Sequence, residues 1–381
     1  MAERDMTGLA ELRAQIDIAD EQLLELLNKR AAISLAIGKA KASVPGAKIY
    51  DPERERCLLH RLFSLNAGPL EDRHISAIWR EIMSASKMLQ QPCSVAYLGP
   101  EGTFSHIAAR GFLGEAPMYV PCSGFAEVFG KIHNGECGIG VVPLENSIHG
   151  TIPQSFDLFS QYAGIGIRAE FFARICNSLI SNERELGNVR TVYSHAQPLG
   201  QCGRWLQSNL PHASLVPVSS TAAAALRASA EKGSAAIGHS SMAEKLGMNI
   251  LAGNIEDEID NWTRFVVIAA GSPEHKPLQA APSGWSKIKS SLLFTVPDHP
   301  GALSPVLGVF SRYGVNMAKL ESRPLKGSRW RYIFFADVEC DLLDPASRDL
   351  MQELNGMCAS VRVLGCYPEG EQAYASEAAG A

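Results

Sequence analysis

The stretch KMLQQPCSVAYLG, Lys87–Gly99, decides how the chain is organised. Upstream of Pro92, Ile75, Ile82 and Leu89 fall on one side of a helix predicted over about Glu71–Gln90, which the proline stops. Downstream, VAYLG is a short β-type run and the first of several: GIGVVP, RTVYS, SAAIG and RFVVIAAG follow, separated by predicted helices. Alternation of that kind is the signature of an α/β domain. Residues 1–91 therefore read as all-helical and residues 94–271 as α/β, with the change of period at a single proline.

Working outward toward the N-terminus, no proline interrupts Thr7–Lys41, and Leu9, Leu12, Ile16, Leu23, Leu27 and Ile37 recur at helical intervals, which predicts one long helix. A break follows at Ser43–Ala47. Asp51 and Pro52 then read as an N-cap and first helical position of a second helix ending near Leu65. Toward the C-terminus, residues 272–286 carry three prolines and read as a linker. Residues 287–368 show the order strand, helix, strand, strand, helix, strand, the βαββαβ arrangement of a ferredoxin-like unit. The small, polar segment 369–381 is expected to be disordered.

A chain of 381 residues is long for one core, and two or three units fit it better. With 46% hydrophobic and 20% charged residues the composition is that of globular protein, and no apolar run approaches the roughly 18 residues of a membrane span. The opening MAERDMTGLAELR has acids where a secretory signal has a basic region, so a cytoplasmic location is expected. Nine scattered cysteines without a CxxC pair are expected to be free thiols, and neither they nor the histidines stand at metal-ligand spacing. A net charge of −5 without a basic tract leaves no electrostatic footprint for nucleic acid. No glycine fingerprint suggests a nicotinamide, and no cofactor is expected.

At about 100° per residue, Arg30 and Lys41 share the stripe of Leu12, Ile16 and Leu23, with Arg13 at its edge. Unpaired burial of cations is strongly unfavourable, so the pattern implies either ion pairs between helices or an anionic ligand. Arg54 and Glu55 open the apolar stripe of the second helix, and Ser86 and Gln90 continue that of the third. Residues 9–90 resemble the helical chorismate mutase family through Leu12-Arg13, LLELLNKR, GKAK, DPERE and the final Ser86 and Gln90. By that resemblance Arg13, Arg30 and Arg54 bind two substrate carboxylates, Lys41 and Gln90 face the ether oxygen, Asp51 or Glu55 holds the ring hydroxyl, and Ser86 supports the site. Asp51 reads equally well as an N-cap. A pericyclic rearrangement needs no nucleophile, only a held conformer and stabilised charge, which suits these residue types. The family's long first helix implies a dimer, with Arg13 supplied across the interface.

The α/β segment resembles the prephenate dehydratase family in YLGPEGTFSHIAA, VVPLENSIHGT, YSHAQPLGQC, SSTAAAA and NIEDEIDNWTRF. Most of these clusters follow β-type runs, where open sheets expose strand ends to ligands. Thr103, Ser105, Ser220 and Thr221 precede helical segments and read as N-caps or as carboxylate contacts. The reaction implied is loss of a ring carboxylate as carbon dioxide and of the ring hydroxyl as water, for which protonating the hydroxyl is the principal demand. By resemblance Thr263 sits against that hydroxyl, Arg264 steadies a carboxylate, and Glu145, Asn146 and Ser147 line the cleft with Ser194, His195 and Gln197. Glu145 and His195 are the candidate proton sources behind Thr263, although His195 also reads as a satisfied loop histidine. His149 stands where many relatives carry an acid. Two other readings of this segment stay open: a binding-protein-like sensor without catalysis, and an arogenate dehydratase.

Residues 289–368 resemble the ACT family of amino-acid sensors, and two motifs point to its phenylalanine-responsive branch. These are GALS (Gly301, Ala302, Leu303, Ser304) and ESRP (Glu321, Ser322, Arg323, Pro324). The resemblance implies L-phenylalanine as an allosteric inhibitor, its carboxylate at a helix N-terminus after Gly301 and its ammonium near Glu321, between paired subunits. Read from the residues alone, Gly301 is a turn residue and Arg323 a surface charge. Chorismate and prephenate are the substrates implied, in a homodimer or higher homo-oligomer.

Overall fold

The computed structural model describes residues 2–42, 52–271, 288–325 and 331–373. One compact unit holds the described residues of Met1–Cys93 with Leu113–Met118; a second holds those of Ser94–Phe112 and Tyr119–Ala381.

The first unit is helical, as expected: α1 (Ala2–Ala42), α2 (Pro52–Leu65) and α3 (Asp72–Gln90). Glu71 caps α3 through a reciprocal pair with His74, and the chain leaves the helix at Gln91, directly before Pro92. At Gly38 α1 approaches α3 closely: a Cβ there would stand 2.8 Å from the Gln90 Cα. The apolar stripe of α1 is not a core face within one chain. Leu12, Ile16, Leu23 and Leu26 are each more than half exposed.

The second unit contains β1 (Ser94–Leu98), α4 (Phe104–Leu113), β2 (Met118–Cys122), α5 (Phe125–His133), β3 (Ile139–Asn146), β4 (Gly150–Thr151), α6 (Pro153–Gln161) and β5 (Ile165–Arg174). The chain then crosses to a second lobe with β6 (Ser178–Ser181), β7 (Thr191–Ser194), α7 (Ala196–Gln201), α8 (Gly203–Asn209), β8 (Ser214–Pro217), α9 (Thr221–Ala230), β9 (Ser234–Gly238), α10 (Ser241–Leu246) and β10 (Asn249–Ala252). It returns as β11 (Trp262–Ala270). The C-terminal module, called the sensor module below after its resemblance, follows with β12 (Ile288–Thr295), α11 (Leu303–Arg312), β13 (Met317–Pro324), β14 (Tyr332–Val338), α12 (Arg348–Met357) and β15 (Ser360–Pro368), and β16 (Glu371–Ala373) comes after it.

Three sheets result, and the two-lobed α/β and βαββαβ expectations both hold. The first runs β16-β5-β11-β3-β1-β2 with β4 on β3, the second β10-β6-β9-β7-β8, and the third β13-β14-β12-β15. The linker stretch, residues 272–286, lies outside the described residues. The tail departs from expectation at its start, because Glu371–Ala373 adds to the first sheet as a parallel strand beside β5.

That addition is part of a wider fusion. Phe335, Leu293, Leu364 and Tyr367 of the sensor module belong to the same buried core as Val142, Phe156, Ile167 and Val266. Phe156 and Phe335 meet edge to face at 4.5 Å. The backbones of β5 and β15 approach so closely that a Cβ on Gly365 would stand 2.2 Å from the Ile167 carbonyl oxygen, so only glycine fits. The βαββαβ module is built into the α/β core and does not hang from it.

Candidate active sites

In the helical unit, α1 and α3 bring Arg30 and Ser86 together: Arg30 Nη1 donates to the Ser86 hydroxyl and, at 3.4 Å, to the Ile82 carbonyl. Partial burial holds the Arg30 guanidinium below its ordinary pKa. Gln90 lies at the α1–α3 contact, with its buried Oε1 lacking a hydrogen-bond partner among the described residues. Lys41 is half-buried, eleven residues beyond Arg30 and thus about 20° from it around the helix. Glu55 accepts a hydrogen bond from Lys87 Nζ at 3.1 Å, a partner the sequence reading missed. Arg54 is exposed, and Asp51 lies outside the described residues. Arg13 is exposed and precedes Arg30 by seventeen residues of continuous helix, about 26 Å along the axis. It cannot join Arg30 around one small ligand within a single chain.

In the second unit the decisive feature is the register of β3 on β11, which sets Thr263 opposite Asn146 and Arg264 opposite Glu145. Side chains alternate along a strand, so these two pairs face opposite ways. On one face Asn146 Nδ2 donates to Thr263 Oγ1 at 3.0 Å and to Asn261 Oδ1 at 2.7 Å. Asn146 Oδ1 accepts from the Ile148 and His149 amides, and Ser147 Oγ joins the Asp260 carbonyl to the Trp262 amide, so the loop after β3 is tied to the start of β11.

On the other face Arg264 and Glu145 meet the sensor module. Arg264 Nε contacts Glu170 at 2.6 Å, its Nη1 contacts Asp337 at 2.5 Å, and its Nη2 donates to Tyr367 at 3.2 Å. Lys289 completes the cluster on Glu170 at 2.7 Å. Burial alone would lower the Arg264 pKa, but Asp337, Tyr367 and Glu170 hold it well above the ordinary value. Each nitrogen of the Arg264 guanidinium therefore has a buried partner within the chain. Glu145 pairs with Lys319 at 2.8 Å on the same face, away from the Thr263 hydroxyl.

Lys319 is one of three alternate residues of β13 that grip the dehydratase. Glu321 accepts from Thr151 Oγ1 at 3.0 Å, and Arg323 Nε meets Asp157 at 3.3 Å. The Glu321 carboxylate and the Arg323 guanidinium are thus engaged inside the chain, and Arg323 is not the surface charge that its residue type alone suggested. Leu320, Ser322 and Pro324 alternate outward. Gly301, at φ +81°, holds the left-handed turn before Ala302, Leu303 and Ser304 open α11.

A cleft of about 470 Å³ opens beside this region, lined by His149, Gln197, Gln201, Glu256 and Asn261 among others. Gln201 and His149 meet across it at 2.9 Å. His195 is exposed and caps α7, its Nδ1 accepting the Gln197 amide at 3.3 Å, the loop-histidine reading. Ser194 Oγ donates to the Ile237 carbonyl inside the lobe. Ser220 caps α9, and Thr103 Oγ1 donates to the Leu98 carbonyl. Gln201, Glu256 and Asn261 were missed as site residues although two quoted motifs contain them. Gln201 follows Gln197 by four positions on one short helix, which was the available signal.

Fold and sites together define a three-module chain: a helical bundle with a polar inter-helix cluster, a two-lobed α/β body with a cleft, and a βαββαβ module sharing that body's core. Residues 12–91 match the chorismate mutase type II model, residues 95–273 the prephenate dehydratase model and residues 290–356 the ACT domain model. The bifunctional chorismate mutase/prephenate dehydratase of Aquifex aeolicus is 39% identical over 96% of this chain and 99% of its own length. That of Escherichia coli K12 is 32% identical over 94% and 96%. The chain belongs to the bifunctional chorismate mutase/prephenate dehydratase family. Among solved structures, the prephenate dehydratase of Arthrobacter aurescens in complex with L-Phe is 29% identical, with TM-score 0.65 over 72% of this chain and 90% of that one. A structure described as GqqA, a quorum quenching acylase, matches at 29% identity and TM-score 0.62 over 72% and 97%. That fold alone does not fix a reaction.

Proposed function

We propose that the chain converts chorismate to prephenate in its helical unit and prephenate to phenylpyruvate in its α/β body, under feedback inhibition by L-phenylalanine. For the rearrangement, Arg30 and Arg54 hold carboxylates, Ser86 orients Arg30, and Lys41 and Gln90 meet the ether oxygen, where negative charge develops as the bond breaks. Glu55, or Asp51, takes the ring hydroxyl. Arg13 comes from a second copy. The distance along α1 and its exposed leucines and isoleucines both support a dimer formed through that helix.

The dehydratase reading is carried by the Asn146–Thr263 hydrogen bond. Because Thr263 Oγ1 accepts from an amide, its own proton is directed elsewhere and is available to the leaving ring hydroxyl. In the step, the bond to the ring carboxylate breaks, its electron pair moves through the diene, and the C–O bond breaks with its pair to oxygen. The oxygen takes one proton, drawn from solvent through the Thr263 hydroxyl, and departs as water while carbon dioxide leaves. Ser147 fixes the loop, Gln197 borders the cleft, His195 caps the helix that carries Gln197, and Ser194 ties the end of β7 to β9 behind it. Prephenate as the product of the first unit favours it over arogenate as the substrate of the second.

For regulation, L-phenylalanine lies at GALS and the outward face of β13, between paired sensor modules. Two observations support this: among the described residues β13 pairs only with β14 and keeps an open edge, and its inward face holds Glu145 and Thr151 next to Asn146. A reducing, cytoplasmic setting belongs to the same proposal. The deciding experiment supplies purified chain with chorismate and no cofactor. Phenylpyruvate should accumulate and millimolar L-phenylalanine should suppress it; prephenate accumulating unchanged would overturn the dehydratase assignment.

A further inference from the structure

Among the described residues, five buried side-chain atoms have no hydrogen-bond partner, and four belong to Asn177, Glu256 and Asn261. These three residues lie on the two chain crossings between the lobes. The crossings are bound to each other: the Ile175 amide donates to the Asn261 carbonyl at 2.7 Å, the Ile255 amide to the Asn177 carbonyl at 2.9 Å, and the Asn177 amide to Glu256 Oε2 at 2.9 Å. Buried polar groups without partners are costly and rarely persist without use. Two of them, Asn261 Nδ2 and Glu256 Oε1, belong to residues lining the cleft, and Asn261 and Glu256 are 0% and 8% exposed. Asn261 also carries the Asn146–Thr263 chain into that cleft, since its Oδ1 accepts from Asn146 while its Nδ2 remains unused.

One donor and one acceptor complement a hydroxyl, which gives one hydrogen bond and takes another. They do not complement a carboxylate, which only accepts and is repelled by Glu256. We propose that Asn261 is a further catalytic residue of the dehydratase, its Nδ2 donating to the ring hydroxyl of the substrate while Glu256 Oε1 accepts a hydrogen bond from that hydroxyl in the bound ground state. This deepens the dehydratase reading and rests on it. As the C–O bond breaks, charge builds on the oxygen and the Asn261 donor gains strength, alongside Thr263. The aromatic product has no ring hydroxyl. The pair therefore recognises substrate and not product.

The test is kinetics of full-length Asn261→Leu on prephenate, with phenylpyruvate as product inhibitor and the urea midpoint of the second unit as the folding control. A fall of about 100- to 1000-fold in dehydratase kcat is expected, the scale for one lost transition-state donor, with the phenylpyruvate inhibition constant unmoved. Should the second unit of that variant unfold early, Asn261→Asp, which keeps an acceptor toward Asn146 and replaces the donor with a second, charged acceptor, must give the same split. Glu256→Leu should raise the prephenate KM, and Glu256→Gln, which keeps an acceptor, should restore it. Near-normal kcat, or parallel loss of substrate and product binding, overturns the proposal. A wild-type chain that makes no phenylpyruvate from prephenate overturns the underlying reading instead.

Discussion

Replacing Arg264 with methionine tests whether this residue holds modules together or handles substrate. Arg264 and Lys289 face Glu170 and Asp337, so the cluster is formally neutral, with side chains 6%, 9%, 0% and 1% exposed. Methionine fills similar volume but deletes both ion pairs and the Tyr367 contact, leaving one buried negative charge uncompensated. Breaking a buried pair from one side costs about 3–5 kcal/mol. At about 1.4 kcal/mol per tenfold, unfolding becomes roughly 100- to 4000-fold more favourable. Urea denaturation of the full chain should show the second unit unfolding at lower denaturant, with mutase turnover retained until a later transition. The double variant Arg264→Met, Asp337→Leu restores formal neutrality and should recover part of the loss, a coupling that a double-mutant cycle measures directly. The reasoning fails if Arg264→Met costs less than about 1 kcal/mol, or if it abolishes dehydration at unchanged stability, which would return Arg264 to the substrate.

Lys41→Ala should lower mutase turnover by about 100-fold or more while dehydration of added prephenate survives; equal loss of both would mark misfolding. Thr263→Ala should remove most dehydratase activity and leave the mutase intact, and a near-normal rate of phenylpyruvate formation would refute its role at the hydroxyl. Glu321→Ala, which removes the acceptor of the Thr151 hydroxyl, should abolish inhibition by L-phenylalanine with uninhibited turnover near normal; an unchanged inhibition curve would remove Glu321 from the regulatory path. Gly301 is a poorer probe, because φ +81° strains any replacement whatever the ligand does.

The element pattern was legible because it is local. The helical period ending at Pro92, the β-type runs after it and the strand-helix order beyond residue 287 each depend on neighbours a few positions apart, and each reappears in the structure. The polar motifs were legible as motifs. Their division was not, although alternation within TRF and LENS offered the clue: adjacent strand residues face opposite ways, so Thr263 and Asn146 had to part from Arg264 and Glu145. The α1 stripe misled for a related reason, since periodicity reports that a face is apolar and not what covers it.

The sequence by itself determined the three modules, their order and the residue types each brings to its chemistry, because hydrophobic period, turn residues and short motifs are written along the chain. Only the tertiary structure decided that Arg264 and Glu145 serve the sensor contact, that Asn261 and Glu256 reach the cleft, and that the sensor shares the dehydratase core. Those facts depend on pairing residues tens to hundreds of positions apart. Arg264 finds Asp337 and Glu145 finds Lys319 only once β3, β11, β12, β13 and β14 have taken their register, and register is fixed by the packing of whole sheets.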